Sequence, residues 1–123
     1  MDKYNQRIFD KIQGIINQED YHEAISELDR LIARTKYIRR CINLKAKCLM
    51  QLNMWNEALI MYNDYFPYEQ IDNDDLTALS NLSIIHNELG NMLEADKYRN
   101  SYYILSKEAG LRIAYIDKME NES

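Results

Sequence analysis

Three glycines and one proline among 123 residues are too few turn-formers for a many-turned all-β domain, and their scarcity favours long helices. No run approaches the ~18 consecutive apolar residues that a bilayer span requires. The first ten residues, MDKYNQRIFD, lack the basic and apolar regions of a secretion signal, so the expected location is the cytoplasm. Cysteine is also scarce. Cys41 and Cys48 fall on one predicted helix, about 10 Å apart along its axis, which is too far to bridge. They are expected to be reduced, partly buried thiols with no metal role.

Catalytic groupings are missing as well. His22 and His86 stand alone, with no Glu, Asp or Cys at metal-binding spacing, and no serine has the context of a triad. The few glycines do not form a phosphate-cradling loop. An enzyme is therefore not expected, nor any cofactor. At this length the chain is expected to form one domain, residues 1–123, able to bury a core without staples.

Charge is present but unevenly spread. The net charge is −5, yet Arg30, Arg34, Lys36, Arg39, Arg40, Lys45 and Lys47 form a block without an acid inside it. From Cys48 to Asp96 there are nine acids and no Lys or Arg. The basic block raises nucleic-acid binding as one reading, which the pI of about 5.0 and the adjacent acids oppose. A nucleic-acid-mimicking role for the acidic half is a lesser alternative.

One short pattern recurs. Tyr21-His22-Glu23-Ala24, Trp55-Asn56-Glu57-Ala58 and Met92-Leu93-Glu94-Ala95 stand 34 and 37 residues apart, each with a large residue, a spacer, Glu and Ala. Asp20 with Glu23, and Asn91 with Glu94, have capping-box spacing; Asn53 is the expected cap of the middle copy. Helix-period apolar stripes follow each cluster: Ala24, Leu28 and Leu31; Ala58, Met61, Tyr62 and Tyr65; Ala95, Tyr98, Tyr102 and Leu105. Others precede each: Ile8, Ile12, Ile15 and Ile16; Ile42, Ala46, Leu49 and Met50; Leu79, Leu82, Ser83 and Leu89. The pattern predicts seven helices, over about 2–17, 20–36, 38–52, 54–66, 74–89, 91–108 and 111–120. Gly110 is expected to end the sixth, and Pro67 to stop the fourth before a loop at 67–73. Tyr65, Phe66 and Tyr68 beside that loop are expected to pack. Trp55 is expected to be buried at its hairpin junction, and Ala58 to admit a close helix approach.

Over about residues 4–108 the chain resembles the tetratricopeptide repeat family. The third repeat carries the closest match, from Leu79-Ser80-Asn81-Leu82-Ser83 through Glu88-Leu89-Gly90-Asn91 to Glu94-Ala95. His86 takes the place where the family usually has Tyr. The first repeat departs most, with Ile12 at a small-residue position and Gln18-Glu19 in place of Leu-Gly. An unrelated helical bundle is the alternative.

The resemblance implies an all-α, right-handed superhelical array of antiparallel helix hairpins, an α-solenoid. Its repeats would cover about 4–37, 38–73 and 74–110, with a capping helix at about 111–120. It also implies a concave groove lined by the first helix of each repeat. Gln6, Phe9, Gln13 and Asn17 would line it first, then Arg40, Asn43, Lys47 and Met50, then Ser80, Asn81, Ile84 and Asn87. The implied partner is a peptide or a segment of another protein, held by an adaptor, a co-chaperone or a small peptide-responsive regulator. Asn43 and Lys47 stand in inverted order for the family's carboxylate clamp, so a chaperone tail is not expected. A structural subunit that self-associates weakly through its opposed charges is the second functional class, and no membrane partner is expected.

Overall fold

The computed structural model describes the backbone of residues 2–65 and 75–122, and side chains as far as residue 110. Every described element is an α-helix: α1 (Lys3–Asn17), α2 (Tyr21–Ile32), α3 (Ile38–Gln51), α4 (Trp55–Tyr65), α5 (Leu76–Glu88) and α6 (Met92–Glu122). No strand occurs among the described residues. The chain forms two compact units, Met1–Phe66 with α1–α4 and Pro67–Ser123 with α5 and α6.

In the first unit α1 packs on α2, α2 on α3 and α3 on α4. Phe9, Ile12 and Ile16 from α1 meet Ala24, Leu28 and Leu31 from α2, and Cys41 and Cys48 from α3 join them. On α1 and α2 these residues recur at three- and four-residue intervals, so each turns one apolar stripe inward, whereas α3 packs on both α2 and α4 and buries Cys41, Ile42, Ala46, Cys48 and Leu49. In the second unit α5 packs on α6; Ala78, Leu79, Leu82 and Ile85 are buried on one helix, Ala95 and Tyr98 on the other. The approach is close enough for the Ser83 hydroxyl to donate to the Ala95 carbonyl at 3.1 Å.

The three hairpin turns share one hydrogen-bond pattern. After α1, Glu19 adopts φ 63°, its N–H donates to Ile16 O, and Asp20 N–H reaches back to Ile15 O. Asn53 at φ 58° and Met54 do the same toward Met50 O and Leu49 O. Gly90 at φ 80° and Asn91 repeat it toward Asn87 O and His86 O. This is the Schellman arrangement, which satisfies the orphan carbonyls of a helix end through one left-handed residue. Five residues beyond each of these left-handed residues lies an alanine, Ala24, Ala58 or Ala95, with 0% exposure. A bare Cβ at that depth is what lets the paired helices approach.

Several local expectations are corrected. Gly110 does not end a helix: α6 runs unbroken from Met92 to Glu122, so the described residues hold six helices and no separate capping helix. Helix formers flank Gly110, no proline follows it, and one interior glycine costs only ~1 kcal/mol. Helix α2 stops at Ile32, because the chain turns at Ala33-Arg34 and the Thr35 hydroxyl then accepts the Tyr37 N–H at 3.2 Å. Asp20 makes no side-chain capping bond. The neighbouring Asp20 carboxyl raises the Glu23 pKa, first by favouring a proton shared between the two side chains and then by repulsion between their charges. Asn53 closes α3 rather than capping α4, since its left-handed backbone is needed in the turn. Trp55 is half-buried and Met92 is 56% exposed, so the large residue of the recurring pattern is not a uniformly buried plug. The expected loop at 67–73, with Phe66 and Tyr68, lies outside the described residues.

Candidate functional site

The expected groove residues divide into core, scaffold and surface. Phe9 is a correction: at 3% exposure it belongs to the α1–α2 core. Its ring carries the Arg40 guanidinium at 4.7 Å from the centroid, so α3 covers what would otherwise face solvent. Asn43 is half-buried and accepts the Tyr62 hydroxyl at 2.8 Å. Tyr62 is fully buried, so the Asn43 amide helps satisfy a phenol at the α3–α4 contact. Gln6 is partly buried and donates to Asp10 at 2.8 Å. Gln13, Asn17, Arg40 and Lys47 are exposed, and Met50 is half-buried.

Two surfaces emerge from these placements. In the first unit Lys36, Tyr37, Ile38, Arg39, Arg40 and Tyr65 surround a concavity of about 410 Å³. It sits where the α2–α3 turn meets the start of α3 and the end of α4. Tyr37 is 48% exposed and Tyr65 46%, so the expectation that Tyr65 packs is corrected: α4 ends there and leaves its ring on the surface. Sequence reasoning placed only Arg40 in a site. The signal for the rest was the basic-aromatic run Lys36-Tyr37-Ile38-Arg39-Arg40.

The second unit brings Ser80, Asn81 and Ile84 together along α5. Ser80, Ser83, Ile84, Arg99, Tyr102 and Tyr103 line a cleft of about 170 Å³ between α5 and α6. A second depression, of about 240 Å³, shares Ser80 and Tyr102 and adds Leu76, Thr77 and Asn81. Ile84 is 44% exposed and Tyr103 62%, with Ile104 also exposed nearby in sequence. Asn87, one turn along α5 from Ile84, is exposed but lines neither depression. Arg99, Tyr102 and Tyr103 were missed as site residues because Tyr102 continues the apolar stripe of α6 and reads as core.

His86 and the two cysteines are buried in the packing. His86 is buried, stacks on Tyr98 with ring centroids 5.4 Å apart, and meets the Asn91 amide at 3.3 Å. Burial lowers its pKa, Glu94 opposes that shift and Lys97 reinforces it. Burial also raises both thiols, with Cys48 pushed up to about 11 despite the neighbouring Lys47. A thiol held protonated in this way is a poor nucleophile. Among the described residues no His, Cys, Asp and Glu group could hold a metal ion, and no helix is long and apolar enough to cross a membrane. Comparisons with protein-family models, curated proteins and solved structures find no match for this chain.

Proposed function

We propose that this chain is a non-enzymatic protein-interaction module of the tetratricopeptide type, which holds a peptide or a segment of a partner protein. The superhelical stacking of its hairpins is part of that reading. What favours the family is the recurrence of one turn geometry and one buried alanine, at the same 34- and 37-residue spacing as the sequence pattern.

The observation that carries binding is the α5–α6 cleft, where exposed Ile84 and Tyr103 adjoin Ser80, Asn81 and Arg99. Apolar side chains beside amide and hydroxyl groups suit an extended segment. The former take its side chains, and the latter match the donors and acceptors of its backbone. Ile84→Asp places a charge on that surface without touching the buried face of α5. A partner captured from the source cell by the wild-type chain should be lost from this variant and kept by Ile60→Asp, the same change at an exposed isoleucine of the first unit. Equal capture by wild type and Ile84→Asp refutes the assignment. A salt-insensitive dimer in sedimentation velocity, abolished by Ile84→Asp, would make the partner a second copy of the chain.

A further inference from the structure

His86 sits at the closed end of the α5–α6 hairpin, beside the turn. Its buried ring stacks on Tyr98, and its Nδ1 meets the Asn91 side-chain amide nitrogen at 3.3 Å. An amide nitrogen only donates, so Nδ1 accepts and the neutral ring carries its proton on Nε2. Asn91 also donates its backbone N–H to the His86 carbonyl at 2.8 Å. One residue of the turn thus holds both the ring and the last turn of α5. The α5–α6 cleft begins one turn farther along. Ser83, three residues before His86, donates to the Ala95 carbonyl at 3.1 Å and lines the cleft with Ile84. Tyr102, one turn beyond Tyr98, lines it from α6. The ring stack and the Ser83 bond therefore fix the separation of the two helices next to the cleft.

Protonation alters this arrangement at two points. Nδ1 becomes a donor facing a donor, so the bond to Asn91 is lost unless the amide turns over. The ring also gains a charge in a buried place, which favours its movement toward water. Burial already lowers the His86 pKa, so the folded position disfavours the charged ring. Among the described residues the charges that bear on it come from α6. Glu94 favours the charged ring and Lys97 opposes it, and these two side chains approach each other at 3.9 Å.

We infer that His86 and Asn91 form a proton-operated catch on the α5–α6 cleft, which keeps the cleft in shape while the ring is neutral and loosens it when the ring takes a proton. An occupant is then held near neutral pH and released under mild acid. The inference rests on the interaction-module reading for there being an occupant. The coupling of ring to cleft does not rest on it, and is read without any partner, so the two fail separately.

The test is an NMR titration of the full chain from about pH 8 to about pH 5, the range over which histidine changes charge. The reporters are the His86 ring, the Ile84 methyl at the cleft and the Ile60 methyl, exposed on the first unit. The Ile84 signal should move with the midpoint of the His86 ring, below the ordinary histidine value, while Ile60 stays unchanged. Asn91→Asp keeps a helix-capping residue and sets a carboxylate against Nδ1, so it should raise both midpoints together by about one pH unit. Glu94→Gln should lower both, since Glu94 favours the charged ring. His86→Phe should abolish the Ile84 transition; if that variant does not fold, the paired shifts of the other two decide. An Ile84 signal that stays put while His86 titrates overturns the inference, as does an Ile84 midpoint indifferent to the Asn91 and Glu94 changes. Loss of far-UV circular dichroism in step with the Ile84 shift also overturns it, since the event is then unfolding. Coupled Ile84 and His86 midpoints, with a partner still captured by Ile84→Asp, uphold the catch and refute the binding site instead.

Discussion

Replacing Asn43 and Tyr62 singly and together separates a structural amide from a ligand-binding one. Tyr62 is fully buried, and its hydroxyl donates to the half-buried Asn43 side chain at 2.8 Å. Tyr62→Phe removes the donor but leaves an Asn43 oxygen that water can reach, so it should cost about 1 kcal/mol, the usual net value of such a bond. Asn43→Ala is the harsher change. It removes the Asn43 acceptor from a buried hydroxyl and should cost about 2 kcal/mol, a lost hydrogen bond with part of the desolvation cost of its donor. The double variant should cost less than the sum by about 1 kcal/mol, because the two single changes break the same hydrogen bond. Urea unfolding followed by Trp55 fluorescence reads the first unit directly, since Trp55 begins α4. A coupling below about 0.3 kcal/mol would mean that the pair does not interact energetically, since independent sites add within that margin. Asn43 would then return to the surface as a residue available to a partner.

Other outcomes follow from burial and backbone geometry. Glu19→Gly should stabilise the first unit by about 1 kcal/mol and Gly90→Ala should destabilise the second by a similar amount, because both positions are left-handed; denaturant midpoints at unchanged slope decide it. Trp55→Ala should cost about 2 kcal/mol rather than the 3–5 of a fully buried aromatic, since the indole is half-buried. His86 should make the second unit acid-sensitive. Its folded pKa lies below the unfolded value, so its contribution is complete above the unfolded pKa and is lost as pH falls through the folded one. His86→Phe should flatten thermal stability across that window, and an unchanged pH profile would assign the acid loss elsewhere. Neither thiol should react with a disulfide reagent at mildly alkaline pH until denaturant is added, because both are buried and protonated.

Helix positions were legible because they rest on local chemistry. The apolar spacing around Ala24, Ala58 and Ala95 located each hairpin within a few residues, and all three alanines are buried. Turn chemistry was less legible. Gly90 announces its left-handed turn, whereas Glu19 and Asn53 adopt the same conformation with side chains that do not demand it. The hydrogen bonds of the helix end impose the geometry, and the residue type only sets its strain. Gly110 misled in the opposite direction, since a glycine permits a left-handed stop but does not require one.

The site was less legible because periodicity assigns a face without saying what covers it. Gln6, Phe9 and Gln13 share one face of α1 by spacing alone. Only the packed neighbour distinguishes them: Arg40 arrives from α3 and closes over Phe9, while Gln13 stays exposed. Charge behaves in the same way. The pairing of Arg30 with Glu27 is an i,i+3 relation on one helix and could be read from spacing. The pairing of Lys45 with Asp29 needs α3 to lie against α2 and could not. A run of cations in a sequence is therefore a poor count of the charge offered to a partner. The fold consumes some of it internally, as at Arg30 and Lys45, and only the packing of α2 against α3 decides how much.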